Sequence, residues 1–205
     1  MFGDVLAVLK TVAQRPDIDP ARIGLIGFSK GGSVTIKAAL GRYMKDAGDA
    51  RFAVLIALYP WCGEMPIDFG SSGAPLLMLL GGKDTYVGTA SCREYAQRFQ
   101  AAGGKLTLKV YDDGRHGWDV PGPTAWTDRH AQNASQCVYE EIEPGKWIER
   151  KSGLTTFDRR RPTADARKAR AICGTIGASG GYDAATAKRS FEDITAAVRD
   201  AFALR

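Results

Sequence analysis

Gly27-Phe28-Ser29-Lys30-Gly31 is a G-x-S-x-G pentapeptide set between a short apolar run, Ile23 to Phe28, and a helix-like stretch that opens near Ser33. A serine on so tight a strand-to-helix turn is forced above the sheet edge, and glycines are expected beside it because a Cβ on either side would clash. Its Oγ then projects toward a pocket, and the N–H of Lys30 points to where an oxyanion forms on an attacked carbonyl, which makes Lys30 the oxyanion-hole residue. The turn alone serves equally well as a helix entry that holds a phosphate.

The residues that follow favour the nucleophile. A serine of this kind needs an acid and then a histidine later in the chain. Asp84 lies in Gly81-Gly82-Lys83-Asp84, just past the apolar run Pro75 to Leu80, and His116 lies in Asp112-Asp113-Gly114-Arg115-His116-Gly117, just past Leu106 to Tyr111. In these positions His116 takes the proton from Ser29 during attack on a carbonyl, while Asp84 fixes the imidazole tautomer and stabilises its charged form. Asp112, Asp113 and Asp119 are nearby rivals for the acid, and His130, in a polar, helical-looking stretch, fits a surface role. A second match, Gly177-Ala178-Ser179-Gly180-Gly181, has no apolar run before it and no histidine after it, so Ser179 reads as a flexible turn residue. Phe28, Tyr59, Trp61, Tyr86 and Trp118 flank the ends of the apolar runs; Phe28, Trp61, Tyr86 and Trp118 are the expected substrate-binding residues, against the alternative of plain core packing.

The elements that position these residues alternate. Gly3 to Gln14 carries one helical apolar face, Ile23 to Phe28 is a strand, Ser33 to Met44 a helix, and Phe52 to Leu58, Pro75 to Leu80 and Leu106 to Tyr111 are further strands. Thr89 to Ala102 reads as a helix between the last two. Strands this apolar are covered on both faces, as parallel strands with crossover helices are, so the fold class is α/β. Ser29, Asp84 and His116 then all emerge at the carboxyl ends of parallel strands, where open α/β sheets bind their ligands. Residues 120–182 read as a loop-rich, cysteine-containing insertion before a final amphipathic helix, Ala184 to Leu204, and the whole as one domain.

With 205 residues, 44% of them hydrophobic and 25% charged, the composition is that of a globular chain and excludes disorder, collagen and coiled coil. The residues from Met1 to Lys10 do not form a signal peptide, and no window approaches the roughly 18 apolar residues of a membrane span. The net charge of +5 is local: Lys146 to Arg170 hold nine Lys/Arg against three Asp/Glu. That stretch lacks interleaved aromatics, so a solvated loop is preferred to a nucleic-acid surface, and neither nucleic acid nor membrane is an expected partner. Four cysteines, Cys62, Cys92, Cys137 and Cys173, show neither C-x-x-C spacing nor a histidine at zinc spacing, so no metal is expected, and buried thiols or disulfides remain open.

The run from Asp17 to Gly32, with Gly82-Lys83-Asp84 and with Tyr111-Asp112-Asp113-Gly114-Arg115-His116-Gly117-Trp118-Asp119, resembles the dienelactone hydrolase family of the α/β-hydrolase fold, strongly over residues 1–120. The resemblance implies hydrolysis of a small ester or lactone through an acyl-enzyme, with no cofactor. Dienelactone hydrolase itself uses a cysteine nucleophile, whereas this elbow carries Ser29, so its lactone substrate is not carried over. Members of the fold also have several strands ahead of the nucleophile strand, including a loop that gives a second oxyanion N–H; here only about 20 residues precede it. The expectation is an N-terminally truncated domain with the C-terminal part of the sheet and helices on both faces. Its Ile23–Phe28 edge would be open to homo-oligomer formation. The alternative to an active hydrolase is a catalytically weak remnant acting as an interaction module. Exported, periplasmic or secreted, the chain would pair Cys62–Cys92 at one sheet edge and Cys137–Cys173 within the insertion; in the cytoplasm all four would be free. Long-tailed members of the family favour the exported case, given an upstream signal.

Overall fold

The computed structural model describes residues 2–158 and 165–204. Its centre is an all-parallel sheet of β1 (Gly24–Phe28), β2 (Val54–Leu58), β4 (Leu76–Gly81) and β5 (Leu106–Tyr111) in the order β1-β2-β4-β5, while β3 (Glu64–Met65) leaves for a second sheet. Register runs from Gly24↔Val54 to Phe28↔Leu58, from Leu55↔Leu76 to Leu58↔Leu79 and from Leu76↔Leu106 to Gly81↔Tyr111, so the carboxyl ends lie along one edge.

Side-chain alternation divides the core into two layers. Leu55, Ala57, Leu76, Met78 and Leu80 face α1 (Phe2–Ala13), α2 (Lys30–Ala38) and α4 (Ala90–Ala101) through Leu9, Ile36, Tyr95 and Phe99. Val54, Ile56, Leu58, Leu77 and Leu79 face the other way, against Ile194, Val198 and Phe202 of α6 (Ala184–Phe202). β2 and β4 are buried along their whole length, as strands covered on both faces must be. β1 is the outer strand on its side, with Ile26 and Phe28 exposed.

The helix expected over Ser33 to Met44 is two helices. α2 begins at Lys30, directly after the serine, and Leu40 turns extended to bridge Ser71 before α3 (Gly41–Met44).

Residues 120–182, expected to be loop-rich, hold a ribbon and a small sheet. β6 (Trp126–Asn133) pairs antiparallel with β10 (Thr175–Gly180), and β3-β7-β8-β9 form the second sheet from β7 (Tyr139–Glu143), β8 (Lys146–Glu149) and β9 (Thr155–Asp158), with α5 (Asp165–Cys173) beside it. His130 therefore sits on an exposed strand and not in a helix, and Ser179 is in a strand and not in a turn, because each ribbon strand supplies the backbone partners that the other's polar or glycine-rich sequence does not advertise.

Long-range ion pairs and backbone hydrogen bonds fasten this segment to the parallel sheet and its helices, while each disulfide lies within one of the two regions. The Cys62–Cys92 and Cys137–Cys173 disulfides are both present, and Arg42 of α3 makes a bidentate pair with Glu141 of β7. Burial pushes the Glu141 carboxyl up, but the Arg42 guanidinium and the N–H groups of Gly145 and Ile67 outweigh it and hold it at about 2. The basic stretch is not one solvated loop. Arg150 pairs with Glu94 and Glu140, Lys146 with Glu143, and Arg167 to Arg170 lie on α5; Arg159, Arg160 and Arg161 lie outside the described residues. No helix among the described residues is long and apolar enough to cross a membrane.

Candidate active site

Ser29 sits between β1 and α2 with φ 50 and ψ −115, a strained backbone for a non-glycine residue. Its N–H donates to the Leu58 carbonyl, which fastens the turn to the end of β2. A Cβ at Gly27 would lie 2.3 Å from the Gly31 carbonyl oxygen, so Gly27 is required by contact. Gly31 is different: its Cβ would meet nothing within 4 Å, which corrects the expectation of a clash on both sides. The N–H of Lys30 belongs to the first turn of α2, whose donors have no partner within the helix.

Asp84 is buried past the end of β4. Its Oδ1 accepts from the N–H groups of Tyr86 (2.8 Å) and Val87 (3.1 Å), leaving Oδ2 2.9 Å from His116 Nδ1. His116 Nε2 is 2.9 Å from Ser29 Oγ. With the carboxylate accepting a hydrogen bond from Nδ1–H, the neutral ring turns the Nε2 lone pair to the serine hydroxyl. The structure thus brings Ser29, His116 and Asp84 into one hydrogen-bonded chain. The rival acids are engaged elsewhere: Asp119 accepts from Tyr59 Oη at 2.7 Å and Asp113 pairs with Lys83.

Two aromatic edges hold the imidazole, Tyr59 at 4.7 Å and Tyr86 at 4.9 Å between centroids. Tyr59 occupies φ 37, and burial, then its bond to Asp119, pushes its phenol far above the usual range, keeping it a neutral donor.

Of the aromatics expected to bind substrate, Trp61 and Tyr86 line a cleft of about 390 Å³ that opens at Ser29 and Lys30 and runs along α2 to Lys37 and Tyr43. Trp118 does not: it is fully buried against Tyr59 and Tyr111, and its indole N–H donates to Ser190 Oγ, so it is core beneath the histidine. Phe28 lies on the exposed edge of β1 beside Tyr59 and is not part of the cleft wall.

What holds the two loops together was not foreseeable from residue types or spacing. The N–H of Gly181 donates to the His116 carbonyl, that of Asp183 to the Trp118 carbonyl, and Ser179 bonds Thr85 through both Oγ and N–H. The glycine-rich strand β10, set aside as a decoy, is therefore the backbone support of the acid and histidine loops. Part of the cleft wall, Gln132 to Ala134 and Arg170, also comes from the inserted segment. Among the described residues there is no cluster of His, Cys, Asp and Glu able to hold a metal ion.

A parallel sheet with helices on both faces, a serine on a strained turn after one strand, and an acid and a histidine after two others define an α/β-hydrolase fold. Residues 1–142 match the model of the dienelactone hydrolase family, and the chain belongs to that family. It is 29% identical over 151 residues to a Salmonella typhimurium protein named "Putative carboxymethylenebutenolidase", and 28% to one of the same name from Escherichia coli. Each alignment covers 67% of this chain and 53% of the relative, so the chain spans about half the length of the curated relatives it matches. Among solved structures it is similar to MGS-M1, an α/β hydrolase enzyme from a Medee basin deep-sea metagenome library (21% identity, TM-score 0.45, 56% of this chain and 48% of that one). It is also similar to the butyrate-bound Est2 esterase of Thermogutta terrifontis (16% identity, TM-score 0.47, 57% and 56%).

Proposed function

We propose that this domain is a serine hydrolase that cleaves a carboxylic ester or lactone through an acyl-enzyme. Ser29 Oγ attacks the carbonyl carbon as His116 Nε2 takes its proton, and the Lys30 N–H receives the oxyanion. Asp84 stabilises the imidazolium, which returns the proton to the departing alkoxide; water, deprotonated by the same histidine, then releases the acid and restores the serine. The observation that carries this reading is the pair of 2.9 Å contacts linking Ser29, His116 and Asp84, with the serine held at φ 50. The family and the names of the curated relatives agree with it. The test is labelling with a fluorophosphonate probe, followed by peptide mapping. One adduct on Ser29, absent in His116→Ala, is expected; a folded protein without an adduct would overturn the proposal.

The outer strand β1, with Ile26 and Phe28 exposed, supports a second property, self-association through this edge. Light scattering should give a dimer mass that Ile26→Lys converts to a monomer mass; a monomer at every concentration would exclude it.

A further inference from the structure

The cleft at Ser29 does not end at Tyr43. A second hollow of about 280 Å³ shares Tyr43, Trp61 and Glu64 with it and continues over the small sheet, where Tyr139, Trp147, Thr156 and Phe157 complete its walls. Together they form one trough leading from the reactive serine onto β8 and β9. Trp147 and Phe157 are directly opposed across the antiparallel strands, with Phe157 53% exposed.

Trp61 is the fixed hinge-post between the two parts. Its indole N–H donates to the Ala134 carbonyl at 2.8 Å, its ring meets the edge of Tyr139 at 5.8 Å, and Gly63 leaves room beneath it where a Cβ would lie 2.2 Å from the ring. Several polar groups along the trough are engaged within the protein, while Lys30, Gln132 and Arg170 line it toward Ser29. Ser33 Oγ bonds the backbone of Trp61, Asn133 bonds Gly177, Ser135 and Thr175, Thr156 bonds the Trp147 carbonyl, and Glu64 pairs with Lys37. Between Trp61, Trp147 and Phe157, what the trough offers a ligand is ring surface more than hydrogen bonds. A sugar chain needs those bonds; a flat apolar group needs only faces and edges.

Resting on the reading of Ser29 as the nucleophile, we propose that the trough selects esters whose non-reacting leg is an aryl group, seated between Trp61, Trp147 and Phe157. The aryl group sits on either the acid or the alcohol side, and paired substrate series distinguish the two.

The test compares hydrolysis of biphenyl-4-ylmethyl acetate with cyclohexylmethyl acetate, and of methyl 3-(biphenyl-4-yl)propanoate with methyl 3-cyclohexylpropanoate. In one of the two series the aryl ester should have a kcat/KM about tenfold above its alicyclic partner. That ratio should collapse about fivefold or more in Phe157→Ala and in Trp147→Leu, and be kept in Trp147→Phe, which retains a ring. Binding of the same esters to Ser29→Ala by calorimetry reads the trough without turnover. Preferential binding of an aryl ester there, lost with Phe157→Ala, supports the trough even if the wild-type chain hydrolyses nothing, a result that would sink only the nucleophile. Equal affinity for aryl and alicyclic esters, or a ratio unmoved by Phe157→Ala, overturns the proposal.

Discussion

The parallel sheet and the segment inserted after it are built on opposite terms. The sheet consists of apolar strands buried on both faces, such as Val54–Leu58 and Leu76–Gly81, and is held chiefly through burial. The inserted segment has strands as polar as Trp126–Asn133, and it is held by two cross-links of another kind, the Cys137–Cys173 disulfide and the Arg42–Glu141 pair. The site straddles the two. The hydrogen-bonded Ser29, His116 and Asp84 stand on the sheet's edge, while part of the cleft wall and the loop supports come from the insertion. Removing the serine hydroxyl at the sheet's edge should therefore abolish chemistry and leave folding intact, whereas damage to the inserted segment should loosen the fold and alter which substrates are taken.

The largest separation is expected at the triad. Ser29→Ala or His116→Ala should lower ester hydrolysis by about 10⁴-fold or more, and Ser29→Ala, which removes only a part-buried hydroxyl, should leave the urea midpoint nearly unchanged. An equal fall in stability would blur the contrast.

Next is Glu141. Truncation to alanine leaves the Arg42 charge with no partner in the pair and should cost about 3–5 kcal/mol in urea unfolding. The same pair gives a pH signature of definite sign. The folded carboxyl titrates at about 2 against an unfolded value near 4.5, so its contribution is complete above pH 4.5 and is lost as pH falls toward 2. Acid titration of wild type should therefore show a loss of about 3 kcal/mol over that window, absent in Glu141→Gln.

The Cys137→Ser, Cys173→Ser double variant opens a link between residues 36 apart and should cost about 2–4 kcal/mol. The protection of β2 and β4 amides against hydrogen exchange should outlast that of β6 and β10, and uniform loss would mean that the two regions unfold as one.

The smallest effect belongs to the seam. Ser179→Ala removes the hydroxyl bond to Thr85, and should lower kcat about threefold to tenfold with KM little changed, as expected of a positioning residue.

The same contrast explains what could be read in advance. Ser29, Asp84 and His116 were legible because each follows a dense apolar run by a few residues, which fixes it at the carboxyl edge before any contact is known. β6 was illegible because Thr-Asp-Arg-His-Ala-Gln-Asn has neither apolar alternation nor a helical face; it is a strand because Thr175–Gly180 pairs with it some 40 residues later. Trp118 and Phe28 show the limit for side chains. Sequence places both beside strand ends, but one turns beneath the histidine and the other onto the outer strand, and that direction is set by neighbours such as Ser190 and Tyr59. Shared locations indicated which cysteines would pair, Cys62 with Cys92 and Cys137 with Cys173, but whether they pair at all depended on the compartment, which the residues do not state.

The bonds from Gly181 and Asp183 to the histidine loop also bear on the order of events at the ribosome. The four parallel strands are complete once residue 111 has emerged, so the sheet is free to close while about seventy further residues are still being made. The clasp that steadies His116 cannot form until that later chain is out. A nascent polypeptide would thus carry its serine, acid and histidine in an unfastened state while the inserted segment is still being made.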